Sequence, residues 1–231
     1  MSFSLGWEEI SIYLLGYLLI YFLTHTTLDI VMILKPRGKI RYPYAISHNI
    51  VGILCYSFSS VAFWFFIIII PLRTIVLEEN TSTTLQLVFP ESVQFLFQII
   101  GIIIMTFGLI IGALGRWARG FYLCHNTHQL QTRLGFAVVR HPNYFQYVCG
   151  FIGFPLLTFI LGSFLLLLGI YGYYVIATQE EERLLLEFDD YFRYQQNVGM
   201  LFPKVLRSKG IKKKSYTTLK KRNFTQIETI D

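Results

Sequence analysis

Four long apolar stretches dominate the sequence and require a fold that spans a lipid bilayer. They run over residues 10–34, 46–70, 93–114 and 144–177. A bilayer core about 30 Å thick is crossed by about 20 helical residues, so each of the first three stretches predicts one transmembrane helix. Charged residues make up 15% of the chain, against about 25% in soluble domains. This composition argues against a soluble enzyme and against a nucleic-acid-binding domain.

The last apolar stretch is too long for a single crossing. Its 34 residues, 144–177, would extend about 51 Å as one helix. Gly162 and Ser163 lie at its middle, and Pro155 precedes them, so residues that favour a turn are present. The stretch therefore predicts a helical hairpin.

The distribution of basic residues orients the predicted helices. Segments 35–41 and 115–143 contain Lys and Arg without any acidic residue, whereas segment 71–92 has three Glu and one Arg. Basic loops favour the cytoplasmic side, which places the N-terminus outside and the C-terminus in the cytoplasm. Arg140 and the basic C-terminal segment are both expected on the cytoplasmic side, so an even number of crossings must separate them. The two helices of the hairpin supply that number. The sequence thus predicts an all-α integral membrane protein of about five transmembrane helices.

The chain is predicted to form a single membrane domain over residues 1–203, followed by a basic cytoplasmic tail, 204–231. Residues 1–114 hold three spans, and residues 115–203 hold a loop, the hairpin and a C-terminal polar segment. The tail carries nine Lys or Arg and two acidic residues, which favours binding to anionic lipid headgroups over nucleic acid. The three cysteines have no C-x-x-C spacing, so no metal site is predicted.

The hairpin brings two polar clusters to one membrane face. Residues 140–144 (R-H-P-N-Y) precede it, and residues 180–182 (E-E-E) follow it. Pro142 suits the first helical position and His141 the cap, which leaves backbone N–H groups at that end for an anion. Cations and amides there, with His128, are expected to bind a carboxylate, and the glutamates a positive group. The pattern favours a zwitterionic ligand.

The ordered motifs from His128 to Pro203 resemble the C-terminal region of the isoprenylcysteine carboxyl methyltransferases and related membrane phospholipid methyltransferases. They are H-x-L at 128–130, R-H-P-x-Y at 140–144, an apolar hairpin, E-E at 180–181, and an aromatic segment ending in L-F-P. The resemblance implies an S-adenosylmethionine pocket at the cytoplasmic ends of the last helices. It also implies a lipid or lipidated methyl acceptor that enters from the bilayer.

The resemblance also implies roles for individual residues. Glu181, Arg140 and His141 are predicted to be catalytic. If the acceptor is an amine, Glu181 or a neutral His141 would accept its proton, whereas a carboxylate acceptor needs no base. The cofactor-binding positions fall on His128, Gln129, Leu130, Gln131, Phe136, His141, Pro142, Asn143, Tyr144 and Glu180.

Three features depart from the family pattern, and in the first of them the glycine that precedes R-H-P is also shifted by one place, to Gly135. Phe136 lacks the hydroxyl of the usual tyrosine, and the aromatic motif is shortened to Phe188-Asp189-Asp190-Tyr191. Ile176 occupies the place of an arginine associated with substrate in the prenylcysteine enzymes. Because an apolar side chain cannot pair with a carboxylate, the acceptor stays open between a prenylcysteine carboxylate, a phospholipid amine and another lipid.

Two other functions remain open. Membrane sterol or enone reductases that use NADPH carry a similar R-H-P-N-Y element, although they typically continue F-G-E where this chain has Phe145-Gln146-Tyr147. A non-enzymatic lipid-binding protein is the second alternative, because residues 136 and 176 both depart from the enzyme pattern. Binding of S-adenosylmethionine or of NADPH separates these functions.

Labelling of introduced cysteines from each side of the membrane tests the predicted orientation. Cysteines near positions 125 and 210 should react from the same side, and a cysteine within 71–92 from the opposite side, because the charge pattern places them so. Labelling of positions 125 and 210 from opposite sides would contradict the five-helix topology.

Overall fold

The computed structural model describes residues 4–34, 49–77, 87, 89–122 and 130–204. Within these ranges the fold is helical and has no strand, and an isolated bridge joins Val139 to Gly199. The helices are α1 (Trp7–Leu34), α2 (Ile50–Pro71), α3 (Glu91–Tyr122), α4 (Gly135–Val138), α5 (Pro142–Thr158), α6 (Leu168–Glu187) and α7 (Tyr191–Asn197). A π-helical turn, Leu72–Val76, extends α2, and a 3-10 segment, Leu161–Leu167, leads into α6.

Four helical segments in these ranges are long and apolar enough to cross a membrane. They are Trp7–Thr27, Ile50–Val76, Glu91–Arg119 and Leu161–Glu187. The predicted all-α membrane class is therefore confirmed. Helix α5 has 17 residues, or about 26 Å at 1.5 Å per residue, which is slightly short of a bilayer core. The count of five crossings and the orientation stay predictions.

The predicted break in stretch 144–177 is present, but its turn precedes Gly162. Helix α5 ends at Thr158, and Phe159 adopts a left-handed conformation with φ 54°. The Phe159 ring packs against Phe89 and Phe97, with ring centroids 5.4 and 6.3 Å away. These contacts offset the cost of left-handed backbone at a non-glycine residue. Gly162 already lies inside the 3-10 segment.

Close helix packing holds the bundle together. Helix α3 packs along α5, and α2 packs along α6. Gly101 of α3 faces Gly153 of α5, so a Cβ on either glycine would lie 2.6 Å from the other's carbonyl oxygen. Small residues of this kind let helix backbones approach closely within a membrane. The α3–α5 pair therefore has a fixed spacing.

The fold brings the two polar clusters of the hairpin together. Pro142 is the first residue of α5 and His141 its N-cap, as the sequence predicts. Helix α6 runs on to Glu187 and returns Glu180 and Glu181 to the start of α5. Helix α3 continues beyond the predicted end at residue 114 and reaches Tyr122, so Arg119 lies on this helix rather than in a loop.

Substitution of Gly172 by alanine tests the α2–α6 packing. A Cβ at this position would lie 2.5 Å from the Tyr56 backbone nitrogen and 2.8 Å from the Gly52 carbonyl oxygen. Backbone atoms, unlike side chains, cannot rotate away from the added methyl group, so the helices must shift. We therefore expect Gly172→Ala to lower the free energy of unfolding in mixed micelles by about 1–3 kcal/mol.

Gly16→Ala is the matched control, because nothing lies within 4 Å of a Cβ there. Alanine in a helix interior is favoured over glycine by about 0.5–1 kcal/mol, so this variant should be as stable as the parent or slightly more so. Equal stability of the two variants would contradict the close α2–α6 contact.

Candidate functional site

A buried ion pair between Arg140 and Glu181 lies at the centre of the polar cluster. Arg140 Nε and Nη2 donate to the two Glu181 carboxylate oxygens, at 2.6 and 2.9 Å. Gln195 Nε2 also donates to Glu181 Oε2, at 2.9 Å. Arg140 Nη1 donates to the backbone carbonyls of Gln195 and Val198. Both charged groups are thus extensively bonded within the protein, as burial of charge requires.

His141 lies between two carboxylates and is 3% exposed. Its Nε2 is 3.2 Å from Glu181 Oε1, and its Nδ1 is 3.3 Å from Glu180 Oε2. An imidazole donates from both nitrogens only when it is protonated. Burial lowers the pKa of His141, but the hydrogen bonds and negative charges of Glu180 and Glu181 outweigh it and raise the pKa above its ordinary value. The geometry therefore favours an imidazolium that holds both glutamates.

Glu180 keeps accessible surface, with its side chain 32% exposed. Tyr144 donates from its hydroxyl to Glu180 Oε2 at 3.0 Å. The Tyr144 ring lies parallel to His141, with centroids 5.3 Å apart. Both protein contacts of Glu180 use Oε2, so Oε1 has no hydrogen-bond partner among the described residues. Glu180 is thus a fixed carboxylate with one oxygen available to a ligand.

Phe136 and Arg119 border the same region. The Arg119 guanidinium carbon lies 5.5 Å from the centroid of the Phe136 ring, within the range of a cation–π contact. The Tyr194 hydroxyl donates to the Phe136 carbonyl at 2.5 Å, which anchors this residue. The positive charge of Arg119 also acts on Tyr144 and Glu180.

Three buried polar atoms, on residues linked to the cluster by sequence or by charge, have no hydrogen-bond partner among the described residues. They are Tyr191 Oη, Asn143 Oδ1 and Gln179 Oε1. Asn143 and Gln179 neighbour His141 and Glu180 in sequence, and Tyr191 interacts electrostatically with Glu181. Buried polar atoms in folded proteins are normally bonded, so these three atoms mark unmet hydrogen-bonding capacity in residues next to the cluster.

The fold brings the core of the predicted site together. Arg140, His141, Tyr144, Glu180 and Glu181 form one bonded cluster. Pro142 is buried against Gly115 of α3 and thus supports the start of α5. Leu130 and Gln131 have no described hydrogen bond to the cluster. His128 and Gln129 lie outside the described residues.

Sequence reasoning missed three residues that the structure brings to this cluster. Arg119 extends α3 beyond its apolar part, and its only sequence signal is a basic residue in a segment without acids. Gln195 and Tyr194 both lie on α7. Gln195 bonds to Glu181, 14 residues earlier in the chain, and Tyr194 bonds to Phe136, 58 residues earlier. The aromatic segment of the family motif includes Tyr194 without giving it a role, and no local pattern marks Gln195 as part of the site.

Comparison with known proteins gives a family match and a shorter match to a characterised enzyme. The family described as "Protein of unknown function (DUF1295)" matches residues 41–190. The methanethiol S-methyltransferase of Pseudomonas deceptionensis is 38% identical over 82 residues. That alignment covers 35% of this chain and 30% of the relative, so the match spans less than a third of the relative's length.

The family match extends over more than half of the chain. It includes α2, α3 and α5 entirely, together with Arg140, Glu180 and Glu181 of the bonded cluster. The family includes membrane methyltransferases of the isoprenylcysteine carboxyl methyltransferase type, in agreement with the resemblance drawn from residues 128–203. The chain belongs to the DUF1295 family.

Proposed function

We propose that this chain is a membrane methyltransferase that uses S-adenosylmethionine and acts on a lipid, lipidated or other lipophilic acceptor. Its family and its methyltransferase relative support the reaction class. The observation that carries the proposal is Glu180, a carboxylate held by His141 and Tyr144 with one oxygen left for a ligand. Such a group suits a positively charged cofactor.

The residues around Glu180 fit the proposed cofactor. S-adenosylmethionine supplies an activated methyl group on a positively charged sulfur, and it carries an amino-acid end and an adenosine end. Glu180 Oε1 is available to the positive groups. The half-buried Tyr144 offers an aromatic ring beside this carboxylate. A purely apolar pocket would offer no such carboxylate.

Glu181 suits a positioning role better than the proton-accepting role considered from the sequence. Its two oxygens receive Arg140, His141 and Gln195, so proton transfer to Glu181 would disrupt a buried ion pair. A His141 imidazolium has no lone pair to offer. Neither residue is therefore available to accept a proton from a thiol or an amine acceptor.

The residues next to Glu180 on α6 favour an acceptor without a carboxylate. Ile176 precedes Glu180 by one helical turn, and residues four apart share a helix face. Tyr173, which is buried on the same helix, stacks on Tyr147 and contacts Tyr144. This surface is aromatic and apolar where the prenylcysteine enzymes have an arginine. A neutral lipid amine or a thiol is therefore the preferred acceptor class.

Methyl transfer from isotopically labelled S-adenosylmethionine tests the proposal directly. Protein in nanodiscs would be incubated with membrane lipids, prenylcysteines and small thiols, and the products examined by mass spectrometry. We expect labelled product from a lipid or thiol and none from the prenylcysteine carboxylate. Retention of NADPH instead of S-adenosylhomocysteine would favour the reductase alternative, and binding of neither would favour the lipid-binding alternative.

Variants of Glu180 and His141 test the pocket. Loss of a charge-assisted contact costs about 1.5–3 kcal/mol, or about ten- to a hundredfold in affinity. Glu180→Gln and His141→Ala should therefore weaken calorimetric binding of S-adenosylhomocysteine by that range. Glu182→Gln is the matched control, because Glu182 is exposed and adjacent in sequence. Normal binding by both site variants would exclude this pocket.

The raised pKa of His141 predicts that stability falls in alkaline conditions. A raised pKa in the folded state contributes stability fully below the unfolded value of about 6.5 and loses it as pH rises through the folded value. The thermal midpoint of the wild type should thus decline as pH rises above about 6.5 and through the raised pKa of His141. His141→Gln should flatten this decline, and an unchanged slope would contradict the imidazolium.

A further inference from the structure

Arg119 is a cation at the edge of the site that is not neutralised by a paired carboxylate among the described residues. It lies on the last turns of α3, with its side chain half-buried and its guanidinium against the ring of Phe136. Its charge acts on Glu180 and on Tyr144, the tyrosine that donates to Glu180. Arg119 therefore belongs to the same electrostatic unit as Glu180.

The described residues around Arg119 are closely packed. Phe136 is 6% exposed, and its carbonyl accepts the hydrogen bond of Tyr194. The preceding Gly135 lies so close to α3 that a Cβ would be 2.5 Å from the Ile111 carbonyl oxygen. Helix α4 is thus fixed against the helix that carries Arg119. A preorganised guanidinium loses less entropy on binding a ligand than a freely moving side chain.

The other cations of the cluster are already compensated. Arg140 is bonded to both oxygens of Glu181 and to two backbone carbonyls. His141 lies between Glu180 and Glu181. Two positive groups therefore balance two negative groups. Arg140 uses four of its five N–H donors in these bonds, and a doubly protonated His141 uses both of its own, so the two residues have no pair of donors left for a two-pronged contact with a carboxylate. The sequence-based expectation that they bind the carboxylate of a zwitterionic ligand stays a prediction.

We infer that Arg119 binds the carboxylate of the methyl donor's amino-acid end, while Glu180 receives the donor's positive groups. This inference rests on the proposed function. A guanidinium matches a carboxylate with two parallel hydrogen bonds, which a point charge does not reproduce. Arg119 and Glu180 then recognise opposite charges of one zwitterion, and Phe136 holds the arginine in place.

A pair of ligands that differ only in the carboxylate isolates this contact. The probes are S-adenosylhomocysteine and its decarboxylated analogue, titrated calorimetrically into full-length protein in nanodiscs. Wild type should prefer S-adenosylhomocysteine. Arg119→Gln should weaken S-adenosylhomocysteine about ten- to a hundredfold and leave the analogue within about twofold. The affinity of Arg119→Lys for S-adenosylhomocysteine should lie between those of the wild type and of Arg119→Gln. Lysine keeps the positive charge but cannot donate two parallel hydrogen bonds in the fixed geometry of a guanidinium.

Arg73→Gln is the control, because Arg73 lies near Trp7 and Ile160, toward the turn of the hairpin and away from the cluster. It should leave both affinities unchanged. Equal weakening of both ligands in Arg119→Gln would overturn the inference and leave a structural role for the arginine. Failure of the wild type to bind either adenosyl ligand would instead refute the proposed function itself.

Discussion

The buried pair of Arg140 and Glu181 is the interaction on which the rest of the site depends. Their side chains are 9% and 7% exposed, so each charge would be costly without the other. The pair joins the start of α5 to α6, and Arg140 Nη1 donates to two backbone carbonyls at the end of α7. His141 follows Arg140 directly, so its placement between the two glutamates depends on this ion pair.

Close packing at glycines sets the distance between α3 and α5, and α5 begins next to the ion pair. Gly101, Gly108 and Gly115 recur every seven residues along α3, and each faces α5 at close range. The last of them receives Pro142, the first residue of α5. Because the two helices are in register along their length, the start of α5 is fixed relative to the end of α3. Arg119 and His141 consequently lie at the same end of the bundle.

The sequence predicts those parts of the structure that local chemistry and membrane thickness determine. Stretch 144–177 is too long for one crossing, and its length predicts the hairpin. The fixed φ of Pro142 predicts the start of α5. The turn at Phe159 could not be predicted, since packing against Phe89 and Phe97 outweighs the preference for glycine. The positions of Arg119 and Gln195 could not be predicted either, because only the folded chain brings them to Phe136 and Glu181.

The arrangement of α6 relates the polar site to the membrane. Glu180 lies near the end of a helix that is otherwise apolar enough to cross a bilayer, and Ile176 and Tyr173 lie one and two turns deeper. A charged cofactor is best accommodated at the polar end, where Glu180 and Arg119 offer opposite charges. An apolar acceptor is best accommodated along the deeper face. The two substrates of the proposed reaction would then meet at Glu180, with the acceptor approaching from the bilayer side and never needing to leave apolar surroundings.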